Sequence, residues 1–146
     1  MGSPFGYFDH QSKHALAMAQ GAAVELNHPS IGPEHLLLGI LRTPGPASDA
    51  LRSLGIDLEH ARDAIESFVP RGAGEAAPPR GLPLAPEATA VIERADALRA
   101  QRAGCDLTPS LLLVILVAND DSVASKALAK LGASPGRVRE AVAAAG

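Results

Sequence analysis

The sequence predicts an all-α protein assembled from two tandem copies of a four-helix unit, and three observations carry that expectation. Apolar residues make up 47% of the 146-residue chain and aromatics only 3%, so Ala, Leu, Val and Ile must fill the core. Ala is the best helix former and loses no side-chain entropy on burial, which suits helices packed closely on helices. A self-similar pattern recurs at an offset of 76 residues, placing 8–11 on 84–87, Leu16 on Ile92 and Ala19 on Ala95. Its strongest stretch sets 31–41 against 107–117, each a short loop, a Pro at the first helical position and a long apolar run. One residue inserted near 119–122 shifts the offset to 77, after which 50–55 matches 127–132 and Ala61, Ala64 and Ile65 match Val138, Ala141 and Val142. Apolar positions persist while polar ones drift, as in two copies that share a core pattern but not a surface.

The elements follow in order. A first helix is expected from Asp9, a good N-cap, to Leu26, with Ala15, Leu16, Ala19, Ala22, Ala23 and Leu26 on one face. A second begins at Pro33, whose missing N–H would have had no partner in a first turn, and turns Leu36, Leu37, Ile40 and Leu41 inward. The turn at 43–46 ends it. A short third helix carries Leu51 and Leu54 and stops at Gly55, a natural residue just past a helix end. Asp57 caps a fourth, with Ala61, Ile65 and Phe68 inside. The second copy repeats this as Pro86 to about Arg102, Pro109 to Ala118, Ser122 to Leu131 and Ser134 to Ala145, with Thr108 a better cap than Gly32. Repeat one is thus placed at 8–69 and repeat two at 84–145, within one domain of residues 1–146. The Pro/Gly/Ala-rich stretch 70–83 lacks apolar periodicity and reads as a linker. Phe5, Tyr7 and Phe8 cluster at the N-terminus, which suggests that this end is pinned to the body of the domain.

Composition narrows the function. A net charge of −3, from 13 basic and 16 acidic residues with no Lys/Arg stripe, argues against nucleic acid. The single cysteine, Cys105, forms no internal disulfide and has no nearby His to activate it. The longest apolar run, 111–118, is far short of the ~20 residues that span a bilayer. With no signal peptide apparent, no membrane contact and a cytoplasmic location are expected. There is no phosphate-loop pattern and no Gly-Lys pair, so no ATPase is expected. His28 and His35 lack the Cys or carboxylate company of a metal site and read as buried or capping residues. His10 and His14, one turn apart, read as an exposed pair, and Glu93, Arg94, Arg99 and Arg102 as one solvated face. No nucleophile, base and orienter fall together, so no catalytic residue, metal or cofactor is expected. A small metal-dependent hydrolase using the histidines is the alternative from another class. A monomer is expected.

The stretches Leu26-Asn27-His28, 31–41 (Ile-Gly-Pro-Glu-His-Leu-Leu-Leu-Gly-Ile-Leu) and 50–57 (Ala-Leu-Arg-Ser-Leu-Gly-Ile-Asp), with the opening Phe5-Gly6-Tyr7-Phe8, resemble the N-terminal Clp repeat domain of ClpC-type AAA+ unfoldases, as in actinobacteria. The likeness runs from Phe5 to about Ala143 and is looser in the second copy, where Gly-x-Glu-His has become Thr108-Pro109-Ser110-Leu111. It implies two four-helix repeats related by pseudo-twofold symmetry. It also implies a non-catalytic module that captures peptides, unfolded or tagged proteins and adaptor proteins for an unfoldase feeding the ClpP protease. With no ATPase module in the sequence, the chain is either a domain of a longer unfoldase or a stand-alone protein; the drift in the second copy favours a stand-alone relative, an accessory that hands substrates to a separate ClpC or a decoy that sequesters peptide antibiotics.

The resemblance implies two binding surfaces. Family members bind phosphoarginine-tagged proteins at a Gly-Thr-Glu-His helix start, which implies a pocket at Gly32, Pro33, Glu34 and His35. There the helix N-terminus would face the phosphate and Glu34 the guanidinium. Pro33 in place of the threonine removes a hydroxyl and an N–H, and Ser110 stands where the second glutamate would be. Actinobacterial members also bind cyclic peptide antibiotics through aromatics at the N-terminus and at the start of the second repeat. Phe5 matches the first, Leu84 falls at the second, and Tyr7 and Phe8 complete the implied apolar peptide-binding set.

Overall fold

The computed structural model describes residues 8–70, 82–101, 107–119 and 122–145. They form eight helices: α1 (His10–Glu25), α2 (Pro33–Leu41), α3 (Pro46–Ser53), α4 (Leu58–Phe68), α5 (Pro86–Ala100), α6 (Pro109–Ala118), α7 (Val123–Lys130) and α8 (Pro135–Ala145). The expected cysteine, the tail of the first aromatic cluster at Phe5 and Tyr7, and 71–81 of the expected linker lie outside the described residues.

Local chemistry sets the helix ends. Asp9 accepts from the Ser12 N–H at 2.7 Å, Asp57 from His60 at 2.8 Å, Thr108 from Leu111 at 3.2 Å and Ser122 from Ser125 at 3.1 Å. Each bond satisfies a first-turn donor that the helix itself leaves unpaired. At the other end, Gly55 (φ 81°) and Gly132 (φ 89°) take the left-handed position after α3 and α7, at matching places in the two copies.

Two helices make the centre. All nine residues of α2 are buried, and α6 buries Pro109, Leu112, Leu113, Ile115, Leu116 and Val117. The helix α2 packs against α1, α3, α4, α5, α6 and α7, and α6 against α1, α2, α3, α5, α7 and α8. Under the repeat offset these two sets are images of each other. The same exchange holds at the periphery, where α3 packs on α8 and α4 on α7. Two parallel backbone bridges, Phe8 with Leu107 and Ile31 with Leu84, are also a symmetric pair. Asp9 N–H donates to Leu107 O at 3.0 Å and Ala85 N–H to Ile31 O at 2.8 Å, matching bonds across the seam. The implied pseudo-twofold arrangement is therefore present, and its halves are interleaved around one continuous hydrophobic core.

Small residues decide how closely helices approach. A Cβ on Gly39 would collide with the backbone of Ala15 and Ala19, so α2 lies directly on the α1 main chain. One expectation fails at the edge of the core. Phe68 is 44% exposed, on the last turn of α4, and lies beneath the Lys130 ammonium at 5.7 Å from its ring centroid. The apolar stripe of α4 reaches past the end of the surface it packs on, so its final member covers the outside.

Candidate functional site

The start of α2 is held by a chain of hydrogen bonds. Asn27 takes a left-handed φ of 55° after α1 and delivers His28 to the interior. His28 Nε2 lies 3.0 Å from Pro70 O, His28 Nδ1 lies 2.7 Å from His35 Nε2, and Gly32 N–H reaches His35 Nδ1 at 2.8 Å. A carbonyl only accepts and an amide N–H only donates, so the pattern assigns every proton. In this pattern His28 donates from Nε2 and His35 from its own Nε2. Burial, with His28 as a further cause, lowers the His35 pKa to about 4. The expected buried or capping pair is thus a relay joining the end of α1, the start of α2 and the segment after α4.

Glu34 is 9% exposed, and its carboxylate folds back over Gly32, where a Cβ would strike it. Burial pushes the Glu34 carboxyl above its usual range; its own backbone N–H and His28 pull it down in part, and Glu87 pushes it up again. The first turn of α2 turns most of its donors inward. Pro33 has none, Gly32 N–H is on His35, and His35 N–H donates to Gly32 O at 3.0 Å.

Pro33 and Glu34 open onto a cavity of about 720 Å³ whose other walls come from the second copy. Glu87, Ala90, Val91 and Arg94 line it along one face of α5, with Ile115 of α6 and Val123 of α7 opposite. A second cavity, of about 320 Å³, lies at the image position beside Pro109 and Ser110, walled by Gln11, Thr43 to Ala47 and Val142. The offset carries Glu34 onto Ser110, Glu87 onto Gln11 and Asn119 onto Thr43, so the two cavities are equivalent in place and unlike in chemistry. The first holds two carboxylates and a guanidinium; the lining of the second is uncharged. In the second, Gln11 Nε2 donates to Pro44 O at 2.9 Å, and the His14 ring to Thr43 Oγ1 at 3.0 Å, while Thr43 Oγ1 donates to Gly39 O at 2.8 Å. Ile115 stands where Gly39 stands in the first copy and fills the wall of the larger cavity.

The structure divides the sequence-predicted residues. Gly32, Pro33, Glu34 and His35 are contiguous, but only Pro33 and Glu34 face the cavity, while His35 is 2% exposed and turned inward. Of the implied apolar peptide-binding set, Phe8 is 6% exposed and Leu84 half-buried, each tied into a backbone bridge, and Phe5 and Tyr7 lie outside the described residues. Sequence reasoning missed Glu87 and Arg94. The spacing of 87, 90, 91 and 94 marks one helix face, and the repeat alignment had already set Glu87 opposite Gln11. Arg94, read as part of a solvated face, is exposed at the cavity mouth. Among the described residues no three His, Cys, Asp or Glu side chains converge as metal ligands, and no described helix is long and apolar enough to cross a membrane.

Duplicated, all-helical and interleaved, with paired recesses at the two mouths of its seam, the molecule is a double-repeat helical domain. The family pattern described as the Clp repeat (R) N-terminal domain matches residues 7–105, and the chain belongs to that family. It is 31% identical to the chaperone protein ClpB of Oceanobacillus iheyensis, over 94% of this chain and 17% of that protein. It is 32% identical to the negative regulator of genetic competence ClpC/MecB of Bacillus subtilis, over 94% of this chain and 17% of that protein. The chain therefore spans about a sixth of these relatives. Among solved structures, the N-terminal domain of the caseinolytic protease associated chaperone ClpD from Arabidopsis thaliana superposes with a TM-score of 0.81. That match has 23% identity and covers 98% of this chain and 96% of the other. The Hsp104 N-terminal domain from Candida albicans superposes at 0.73 with 12% identity, over 92% and 88% of the two chains. These likenesses establish a shared fold.

Proposed function

We propose that this chain is a non-catalytic recognition domain that captures segments of other proteins at the cavity beside Glu34. The observation that carries the reading is a nine-tenths-buried carboxylate at the mouth of a 720 Å³ cavity built from both repeats. A cavity with apolar walls and a few placed polar groups is the usual form of a ligand site. Relatives that are chaperones of the ClpB and ClpC type make unfolded, tagged or adaptor proteins the natural source of those segments. The test is an NMR titration of the labelled protein with a panel of unstructured peptides of varied charge. Shifts concentrated at Glu34, Val91 and Val123 support the reading; a panel that leaves those resonances unmoved at millimolar concentration overturns it.

Phosphoarginine capture is a narrower form of the same reading. Glu34 and Glu87 suit its guanidinium; for its phosphate, Pro33 brings no N–H, Gly32 N–H is on His35, and Arg94 is the one cation in the lining. The cyclic-peptide reading needs Phe5, Tyr7, Phe8 and Leu84 as an open surface, and the burial of Phe8 works against it.

A further inference from the structure

We infer that adding a proton to the His28–His35 relay unlocks one of the two backbone bridges that join the copies, Ile31 with Leu84, and leaves its image, Phe8 with Leu107, closed. The inference involves no ligand and stands apart from the peptide-capture reading above. All four ring nitrogens of the relay are already engaged, with Pro70 O, with each other and with Gly32 N–H. A further proton can go only on an acceptor nitrogen, His28 Nδ1 or His35 Nδ1, and in either place two donors then face each other. The bond lost is His28 to His35 in the first case and Gly32 to His35 in the second. Both bonds tie the 28–32 loop to α2, so either loss releases it. That loop also carries the bridge: Ile31 N–H donates to Pro83 O at 2.9 Å, and Ala85 N–H to Ile31 O at 2.8 Å. Glu34 Oε1, 3.6 Å from His35 Nδ1, is at hand to take the new N–H in place of Gly32.

Few charges face the relay. Besides Glu34 on α2 itself, α5 presents Glu87 and Arg94 at the same cavity, and the segment after α4 presents a carbonyl, Pro70 O. The helix α6 has no ionisable residue, those of α1, α3 and α7 are exposed, and on α4 Arg62 and Glu66 are half-buried while the others are exposed. Burial, then His28, lowers the His35 pKa to about 4 in the closed loop against 6.5 for a free imidazole, so acid favours the released form. The image bridge has no such group. The repeat offset sets Gly104 on His28 and Leu111 on His35. Leu107 O is held there by the Asp9 N–H at 3.0 Å and the Ser12 hydroxyl at 2.8 Å, an amide and an alcohol that mild acid does not protonate. The two bridges are equivalent in the fold, and one of them answers to pH.

The test is amide hydrogen exchange of the intact protein by NMR at pH 7 and pH 5, with the intrinsic rate at each pH divided out. Protection of the Ile31 and Ala85 N–H is expected to fall by up to about 20-fold, the ratio that one imidazole titrating at 4 when closed and 6.5 when released gives over that interval. Protection of the Asp9 N–H, the image of the Ala85 N–H, is expected to stay within about twofold. His35→Gln, which keeps an acceptor for Gly32 and takes up no proton, is expected to make Ile31 and Ala85 as insensitive as Asp9. A second measurement does not depend on that variant folding: imidazole nitrogen shifts of the unaltered protein at pH 7 should place the proton of each ring on Nε2. A proton on Nδ1 of either ring overturns the inference. So does an equal fall at Ile31, Ala85 and Asp9, which means that the whole chain opens together, and so does unchanged protection at all three. A fall at Ile31 and Ala85 that persists in His35→Gln overturns it as well, by placing the proton elsewhere.

Discussion

The His35 imidazole bridges a backbone N–H and a second imidazole, and that position governs how the fold meets acid. Its pKa of about 4 in the fold lies below 6.5 in the unfolded chain, so between those values the unfolded chain binds the extra proton. The stability His35 contributes is complete above pH 6.5 and falls as pH drops towards 4, by up to about 3 kcal/mol. Urea denaturation across that window should show the decline, with His35→Asn showing a flatter profile from a lower starting stability. Glu34 acts in the opposite direction. Its raised pKa means that the fold disfavours the charged carboxylate at neutral pH, a cost relieved as pH falls through its folded value. Glu34→Gln should accordingly be at least as stable as the wild type at pH 7, by thermal melting. The sequence made the histidine pair legible as structural, because no ligand set surrounded it. It did not show that His35 spends its ring on Gly32 or that Glu87 faces Glu34, since the second carboxylate arrives from the other copy.

Each helix is written plainly in its own residues. Caps at Asp9, Asp57, Thr108 and Ser122, prolines at the starts of α2, α3, α5 and α6, and the left-handed glycines after α3 and α7 place the elements to within a residue or two. The hydrophobic stripes were equally readable except at their ends, where Phe68 obeys the spacing of α4 yet is left 44% exposed beneath Lys130. The crossing of α1 and α2 depends on a single missing atom. Gly39→Ala would drive a methyl group into the Ala15 and Ala19 main chain, which cannot rotate aside. A loss of about 2–3 kcal/mol is expected, at the upper end of overpacking costs and visible as a lower urea midpoint. At the image position, Ile115→Val removes one methyl group beside a cavity and should cost only about 1 kcal/mol.

The whole molecule is where the sequence was least explicit. Repetition announced two copies, but periodicity within a helix does not name its partner, so the pairing of α3 with α8 and α4 with α7 could not be read. For the same reason the cavity linings stayed hidden, because each is assembled from both halves. Since the halves share one core, neither should fold alone. Chains cut between 70 and 82 are expected to give two fragments with little helical circular dichroism apart and a cooperative signal when mixed; a stably helical, cooperatively melting single fragment would refute this. The walls drawn from both copies also carry a lesson about variation. Were the molecule a symmetric pair of identical single-repeat protomers, every substitution would land in both recesses at once, and a carboxylate gained in one would be gained in its twin. Tethering the copies end to end removes that obligation: Glu87 can be acidic while Gln11 stays neutral, and the scaffold can offer two differently equipped mouths without altering the framework that holds them.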